Sequence, residues 1–210
     1  MQCPLCRSNN YQHYHSDPRR DYYQCQSCQL VYVPDEQRLD AHAEKAEYDL
    51  HNNQPDDPGY RRFLSRITVP VCQRVTPASR GLDFGSGPCP VLAMMLTEQG
   101  FDMTCYDPFY APETQALKRR YDFITSTEVV EHLFEPGKEL ARLLDCLRPR
   151  GQLFIMTKRV IDHSRFQHWH YKNDPTHVCF FSDASFHWFA ERHQLQLSLL
   201  GPDVVVLTRP

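Results

Sequence analysis

The sequence predicts an α/β fold in which a small metal-held unit precedes a doubly wound, mostly parallel sheet. Two observations carry this. From Arg80 onward, short apolar runs alternate with helical patterns, the signature of a parallel sheet covered on both faces. Before that, "CPLC" and "CQSC" set two Cys-x-x-Cys pairs close together, in the spacing of a four-cysteine metal site. A chain of 210 residues with 41% apolar content suits one ordinary domain plus a small satellite.

Residues 1–34 read as a zinc ribbon. Each knuckle places two thiolates on one side of a tight turn. Cys3, Cys6, Cys25 and Cys28 together complete a tetrahedron around Zn²⁺. Iron in a rubredoxin-like site takes similar ligands, and a redox dithiol pair is the remaining alternative. "YQHYHSDPRRDYYQ" predicts a hairpin turning near "SDPRR", and "LVYVP" a further strand. So small a unit has little core, so the metal supplies much of its folding energy. The other five of the nine cysteines are scattered singly and read as small buried hydrophobes. An odd count without an export signal argues against a disulfide framework.

Residues 35–78 read as a linker and N-terminal helical lid. "LDAHAEKAEYDL" has helical character, "NNQPDDPGY" is a linker, and a helix runs from about Tyr60 to Val75, kinked or divided by Pro70. Residues 79–210 carry the main sheet. "GLDFG" is a buried strand, "PVLAMMLTEQG" a helix stopped by Gly100, and "FDMTCYD" a strand. "PETQALKRR" is a short helix and "YDFITS" a strand. "EPGKELARLLDCLRP" is a helix with Pro136 near its start, and "GQLFIMT" a strand. After a loop, "SDASFHWFAERH" is a helix with Ser182 as N-cap, and "LQLSLLG" and "DVVVLT" form a hairpin across "GPD".

A net charge of −3 leaves no overall basic surface for nucleic acid. No stretch approaches the roughly 18 apolar residues of a membrane helix. "MQCPLCRSNN" lacks the basic region and apolar core of a secretion signal, so a soluble cytoplasmic protein without a membrane partner is expected.

In such a sheet, ligands bind outside the carboxyl ends of the strands. Gly85-Ser86-Gly87 ends the first strand, and glycine lets the chain turn sharply and a ligand approach the backbone. Asp107 ends the second strand, about 20 residues on, where an acid binds a ribose diol. Pro88 and Pro90 strip N–H donors from the next helix start. That counts against a pyrophosphate and favours a nucleoside cofactor without phosphates.

At this point the sequence resembles the class I S-adenosylmethionine-dependent methyltransferases, which are Rossmann-like. The residues that carry the resemblance are "LDFGSGP", "YDP", "YDFITSTEVVEHLFEP" and "LRPRGQLFIMT", spanning roughly residues 80–160. The resemblance implies S-adenosylmethionine as cofactor. It makes Asp83, Gly85, Ser86 and Gly87 binding candidates, with the Gly85–Gly87 turn against the methionine part. It puts the ribose hydroxyls on Asp107 and Glu128 beside the cofactor on the substrate side. Glu131 and His132 complete "EVVEH". They read as caps of the following turn, with His132 also a substrate-side candidate. The family usually has another helix and a third strand before the fourth. Only the thirteen residues Phe109–Tyr121 are available here, so the third strand is expected to be missing or vestigial, with adenine over Pro108, Phe109 and Tyr110.

"DHSRFQHWHYKNDPTHVCFFS" follows the "GQLFIMT" strand over the same carboxyl edge. His170, Tyr171 and His177 are the base or substrate-contact candidates, because a methyl acceptor must sometimes lose a proton. Mutual hydrogen bonding that fixes the loop is the structural alternative. Tyr60 and Arg61 start a helix that often packs over the cofactor in this class and are substrate-side candidates. The expected activity is methyl transfer to an O or N of a small molecule. RNA is the alternative acceptor, because "RSNNYQHYHSDPRRDYYQ" interleaves basic and aromatic residues. A non-catalytic zinc-dependent binding module on a degenerate methyltransferase fold is the other alternative.

Overall fold

The computed structural model describes residues 1–50 and 53–210; His51 and Asn52, part of the expected linker, lie outside them. The N-terminal hairpin forms as expected. β1 (Tyr11–Ser16) pairs antiparallel with β2 (Asp21–Cys25), and β2 pairs with β3 (Val31–Tyr32). α1 (Ala41–Tyr48) follows, capped by Asp40, which accepts from the His42 and Ala43 N–H groups. α2 (Pro58–Arg74) begins with Asp57 as N-cap and Pro58 in its first turn. Pro70 does not divide α2. Leu64, Ile67 and Val71 are buried along it, and that packing offsets the ~3 kcal/mol a proline costs inside a helix.

The main domain continues with β4 (Arg80–Phe84), α3 (Val91–Glu98), β5 (Asp102–Tyr106) and β6 (Tyr121–Thr127). Then come α4 (Pro136–Cys146), β7 (Leu147–Met156) and the short α5 (His163–Gln167). β8 (Cys179–Phe180), α6 (Asp183–Arg192), β9 (Gln196–Leu200) and β10 (Val204–Thr208) complete the chain. The sheet order is β5-β4-β6-β7-β10-β9. β5, β4, β6 and β7 are parallel, and β10 runs antiparallel between β7 and β9. Between β5 and β6 the chain makes only a short 3-10 turn, Thr114–Lys118, and β5 is the sheet edge. The third strand is absent because thirteen residues cannot hold a helix, a strand and a second helix. Ser182 caps α6 as expected, accepting from the Ser185 N–H.

One face of the sheet packs on α2 and α3 through Leu64, Ile67, Leu96, Phe123 and Phe154. The other face belongs to a cluster that runs without a break into the N-terminal unit, from Leu140 and Phe186 through Phe180 to Tyr22 and Leu30. β8 is the reason. It pairs with β3 and becomes the fourth strand of the small sheet, in the order β1-β2-β3-β8. A strand from the histidine-rich loop thus completes the cysteine-bearing unit.

Candidate functional site

The turn after β4 is built from backbone. Gly85 and Gly87 have φ of 80° and 65°, in the left-handed region that favours glycine. The Gly85 N–H donates to the Tyr106 carbonyl at 2.8 Å. A Cβ on Gly85 would lie 2.4 Å from Val129 Cγ2, so the turn is pressed against the segment after β6. Asp107 ties two turns together. Its Oδ2 accepts from the Gly87 N–H at 2.9 Å, and its Oδ1 from the Phe109 and Tyr110 N–H groups at 2.9 and 3.1 Å. Pro90 is the N-cap of α3 and makes no side-chain hydrogen bond; both prolines, Pro88 and Pro90, precede the helix, so they remove donors from the turn before it while Val91, Leu92 and Ala93 keep their N–H groups.

This turn opens into a cleft of about 570 Å³. Tyr60, Phe63, Phe84, Tyr106, Phe109 and Tyr110 give it aromatic walls, with Gly85, Ser86, Gly87, Asp107 and Pro108 at one end. Glu128, His132, Asp174 and His177 stand on its wall as well. Glu128 is a non-glycine residue at φ 51°, a strained conformation of the kind that collects at functional sites.

Behind these groups lies a buried polar cluster. The Tyr171 hydroxyl is shared between Glu128 Oε2, at 3.2 Å, and Glu131 Oε1, with Thr157 Oγ1 at 3.3 Å. Burial, reinforced by the neighbouring Glu128 charge, pushes the Glu131 carboxyl up to about 8. Burial raises Glu128 as well. The Tyr171 phenol is driven far up by burial and the two carboxylates. Burial pulls His177 below the usual imidazole range. Its Nδ1 lies 2.7 Å from the Tyr171 carbonyl, which can only accept, so Nδ1 carries the proton.

The four N-terminal thiols converge. Cys3 and Cys28 Sγ are 3.5 Å apart, Cys6 and Cys25 3.4 Å, and all four lie within 4.8 Å of one another. Tetrahedral Zn–S bonds of about 2.3 Å require sulfurs about 3.8 Å apart, so the donor set fits such an ion. The unit is clamped to the histidine-rich loop by Arg20, which is buried and donates to four carbonyls, those of Lys172, Asp174, Pro175 and His177. A buried ion pair, Lys172 to Asp17 at 3.1 Å, crosses the same contact.

Of the sequence candidates, the fold gathers Tyr60, Gly85, Ser86, Gly87, Asp107, Pro108, Glu128, His132 and His177 at one cleft. Tyr171 stands just behind it. Asp83 is buried inside β4, accepts from the Thr125 hydroxyl at 2.9 Å and is pushed up to about 7 by burial; it supports the turn from below rather than facing the cleft. Arg61 pairs with Glu98 and the Pro55 carbonyl, away from the cleft wall, because α2 turns it outward. His170 is exposed, 3.1 Å from Lys158 Nζ. Glu131 does not cap a turn. Its side chain is fully buried on Tyr171, and its carbonyl accepts from the Val178 and Cys179 N–H groups. Arg20 escaped the sequence reading because it sits in a hairpin turn, where charge usually means solvent.

The strand order and the glycine turn define a class I methyltransferase fold lacking its third strand. The chain belongs to the family described as "Methyltransferase domain", which matches residues 41–200. Ubiquinone biosynthesis O-methyltransferase of Serratia proteamaculans (strain 568) is 29% identical over 77 residues, 37% of this chain and 32% of that protein. The protein of the same name from Aeromonas salmonicida (strain A449) gives the same figures. The match thus spans about a third of the length of these curated relatives. Among solved structures, 1,6-didemethyltoxoflavin-N1-methyltransferase from Burkholderia thailandensis, with 1,6-didemethyltoxoflavin and S-adenosylhomocysteine bound, aligns with a TM-score of 0.51 at 16% identity, over 94% of this chain and 97% of that one. Magnesium protoporphyrin IX methyltransferase from Synechocystis PCC 6803 aligns with a TM-score of 0.52 at 10% identity, over 80% and 94%. At these identities the likeness is one of fold.

Proposed function

We propose that the protein is an S-adenosylmethionine-dependent methyltransferase acting on an O or N of a small molecule. One observation carries the reading: the Gly85–Gly87 turn and Asp107 meet at the strand ends and open into one cleft with His132 and His177. S-adenosylmethionine supplies a sulfonium methyl open to in-line displacement. The chain's own work is to bind and align. The glycine turn receives the methionine part. Asp107, its carboxylate already held by three N–H groups, presents its remaining lone pairs to the ribose hydroxyls. Pro108, Phe109 and Tyr110 flank the adenine. The aromatic walls exclude water, and His132 and His177 meet the acceptor. Tyr171 is a positioning residue. It is buried, and its raised phenol pKa disfavours the anion a base would need.

The two curated relatives are named as O-methyltransferases of ubiquinone biosynthesis, which supports a small acceptor. The basic residues of the ribbon also support it over RNA. Arg7 pairs with Glu135, Arg19 with Asn173, and Arg20 is buried on the loop, so all three are engaged within the chain. Zn²⁺ is the ion we assign to Cys3, Cys6, Cys25 and Cys28. Free thiols at this spacing suit a reducing compartment, and we place the protein in the cytoplasm. Among the described residues no helix is long and apolar enough to cross a membrane.

Calorimetry on zinc-replete protein tests the proposal. S-adenosylmethionine is expected to bind and NAD not to, and Asp107→Asn to weaken binding about tenfold or more, the loss of a charged hydrogen-bond acceptor. No heat with S-adenosylmethionine would sink it.

A further inference from the structure

We propose that Glu131, His132 and His177 hold a divalent cation at the acceptor end of the cleft, with coordination positions open toward the bound acceptor. The cation's role in catalysis rests on the methyltransferase reading; its binding does not. One carboxylate oxygen of Glu131 and one ring nitrogen of each histidine already lie within 4.8 Å of one another. A cation about 2.1 Å from each would draw them to roughly 3–3.4 Å apart, a small closing movement. Both imidazoles are held by backbone carbonyls. His177 Nδ1 donates to the Tyr171 carbonyl at 2.7 Å, and His132 Nδ1 to the Thr176 carbonyl at 3.3 Å. A carbonyl can only accept, so Nδ1 carries the proton on each ring and a metal would take Nε2; on His177 that nitrogen has Asp174 Oδ2 3.7 Å away, a carboxylate whose charge the same cation would balance.

The carboxylates supply the independent observation. Glu131 is fully buried, and its Oε2 has no hydrogen-bond partner among the described residues. Neither has Glu128 Oε1, a few residues back on the same turn. The Tyr171 hydroxyl has one proton for both groups. Among the described residues neither carboxylate takes part in an ion pair within 4.0 Å. A buried carboxyl group within 4.8 Å of two imidazoles, with the buried Glu128 beside it, makes an arrangement that a cation completes.

The frame around the cluster is rigid. The Val178 and Cys179 N–H groups donate to the Glu131 carbonyl at 2.8 and 2.9 Å, which locks the two ligand-bearing segments together. His132 and His177 line the cleft while Glu131 stands behind them, so the open side of the ion faces the acceptor. Two imidazoles and a carboxylate suit Mn²⁺, Fe²⁺ or Zn²⁺, whereas the four thiolates elsewhere retain zinc. The acceptor such a site selects carries two neighbouring oxygens that chelate. In the transfer step its hydroxyl gives its proton to the unpartnered Oε1 of Glu128, on the cleft wall. The oxygen then forms the new O–C bond, the S–C bond of the cofactor breaks, and that electron pair stays on sulfur as S-adenosylhomocysteine leaves.

Electron paramagnetic resonance with Mn²⁺ as probe, on protein carrying one zinc per chain, decides the matter, since hard Mn²⁺ does not displace zinc from thiolates and no surplus zinc competes for the imidazoles. About one Mn²⁺ per chain is expected. Glu131→Gln and His132→Ala should each weaken uptake at least about tenfold. No uptake by the unmodified chain overturns the site, and so does uptake that both folded variants leave intact. The unmodified titration needs no variant, so a variant that fails to fold does not remove the test. S-adenosylhomocysteine binding is measured on the same sample. Mn²⁺ uptake that the variants lose, without cofactor binding, upholds the site and sinks only the methyltransferase reading.

Discussion

The two ends of the cleft are built by different means. The proposed cofactor end is local and made of backbone: a glycine turn, an aspartate twenty residues later in the chain, and N–H groups that tie them together. The proposed acceptor end is non-local and made of side chains. Its histidines come from the turn after β6 and from a loop that the N-terminal unit holds in place through β8, Arg20 and Lys172. The difference teaches that the N-terminal unit supports the histidine-bearing wall of the cleft rather than standing off as a detached handle. It also separates the consequences of damage. Harm to the ribbon should spare cofactor binding and abolish transfer.

Removing the proposed zinc gives the largest expected effect. Structural zinc contributes on the order of 10–16 kcal/mol to a small metal-held fold. Chelation under reducing conditions should melt β1–β3, strip β8 of its partner and free the loop that carries His177. Methyl transfer is expected to fall to background while S-adenosylhomocysteine still binds by calorimetry. Transfer that survives complete zinc loss, measured by atomic absorption, would show the ribbon to be a satellite after all.

Arg20→Met sharpens the same comparison without touching a metal ligand. The change keeps an apolar stem but leaves four loop carbonyls without their shared donor. Hydrogen bonds to a charged group contribute about 1.5–3 kcal/mol each and do not add fully, so a loss of roughly 3 kcal/mol in urea unfolding is expected. The rate of transfer should fall at least tenfold, with cofactor affinity moved by less than about twofold.

How far the sequence speaks follows the same division. The glycine turn, Asp107, the four cysteines and the missing third strand are all legible, because each rests on spacing within one short stretch. Thirteen residues between two strands are too few, whatever their identity. What escapes is what depends on distant segments meeting. β8 is two residues long and has no pattern of its own; only its pairing with β3 makes it a strand. Glu131 reads as an ordinary turn acid until Tyr171 is seen on it, forty positions away. Arg61 errs in the opposite direction. An arginine at the start of α2 suggests a carboxylate partner, and it finds one in Glu98 rather than in a ligand.

The smallest effect comes from two alanines placed two residues apart, where the glycine turn meets the segment after β6. Gly85 and Gly87 both have positive φ, so each alanine incurs the left-handed strain of about 1–2 kcal/mol. At Gly87 that is the whole cost in the absence of ligand, because no atom lies within 4 Å of the added Cβ. At Gly85 the Cβ meets Val129 Cγ2 at 2.4 Å, and overpacking adds about 1–3 kcal/mol. Val129 lies between Glu128 and the Glu131–His132 pair, so the strain should pass from the cofactor turn into the acceptor wall. Gly85→Ala is therefore expected to be less stable in urea than Gly87→Ala by about 1–3 kcal/mol and to lose Mn²⁺ affinity as well, while Gly87→Ala keeps it. Equal stabilities would mean that Val129 yields at no cost and that the two ends of the cleft are mechanically independent.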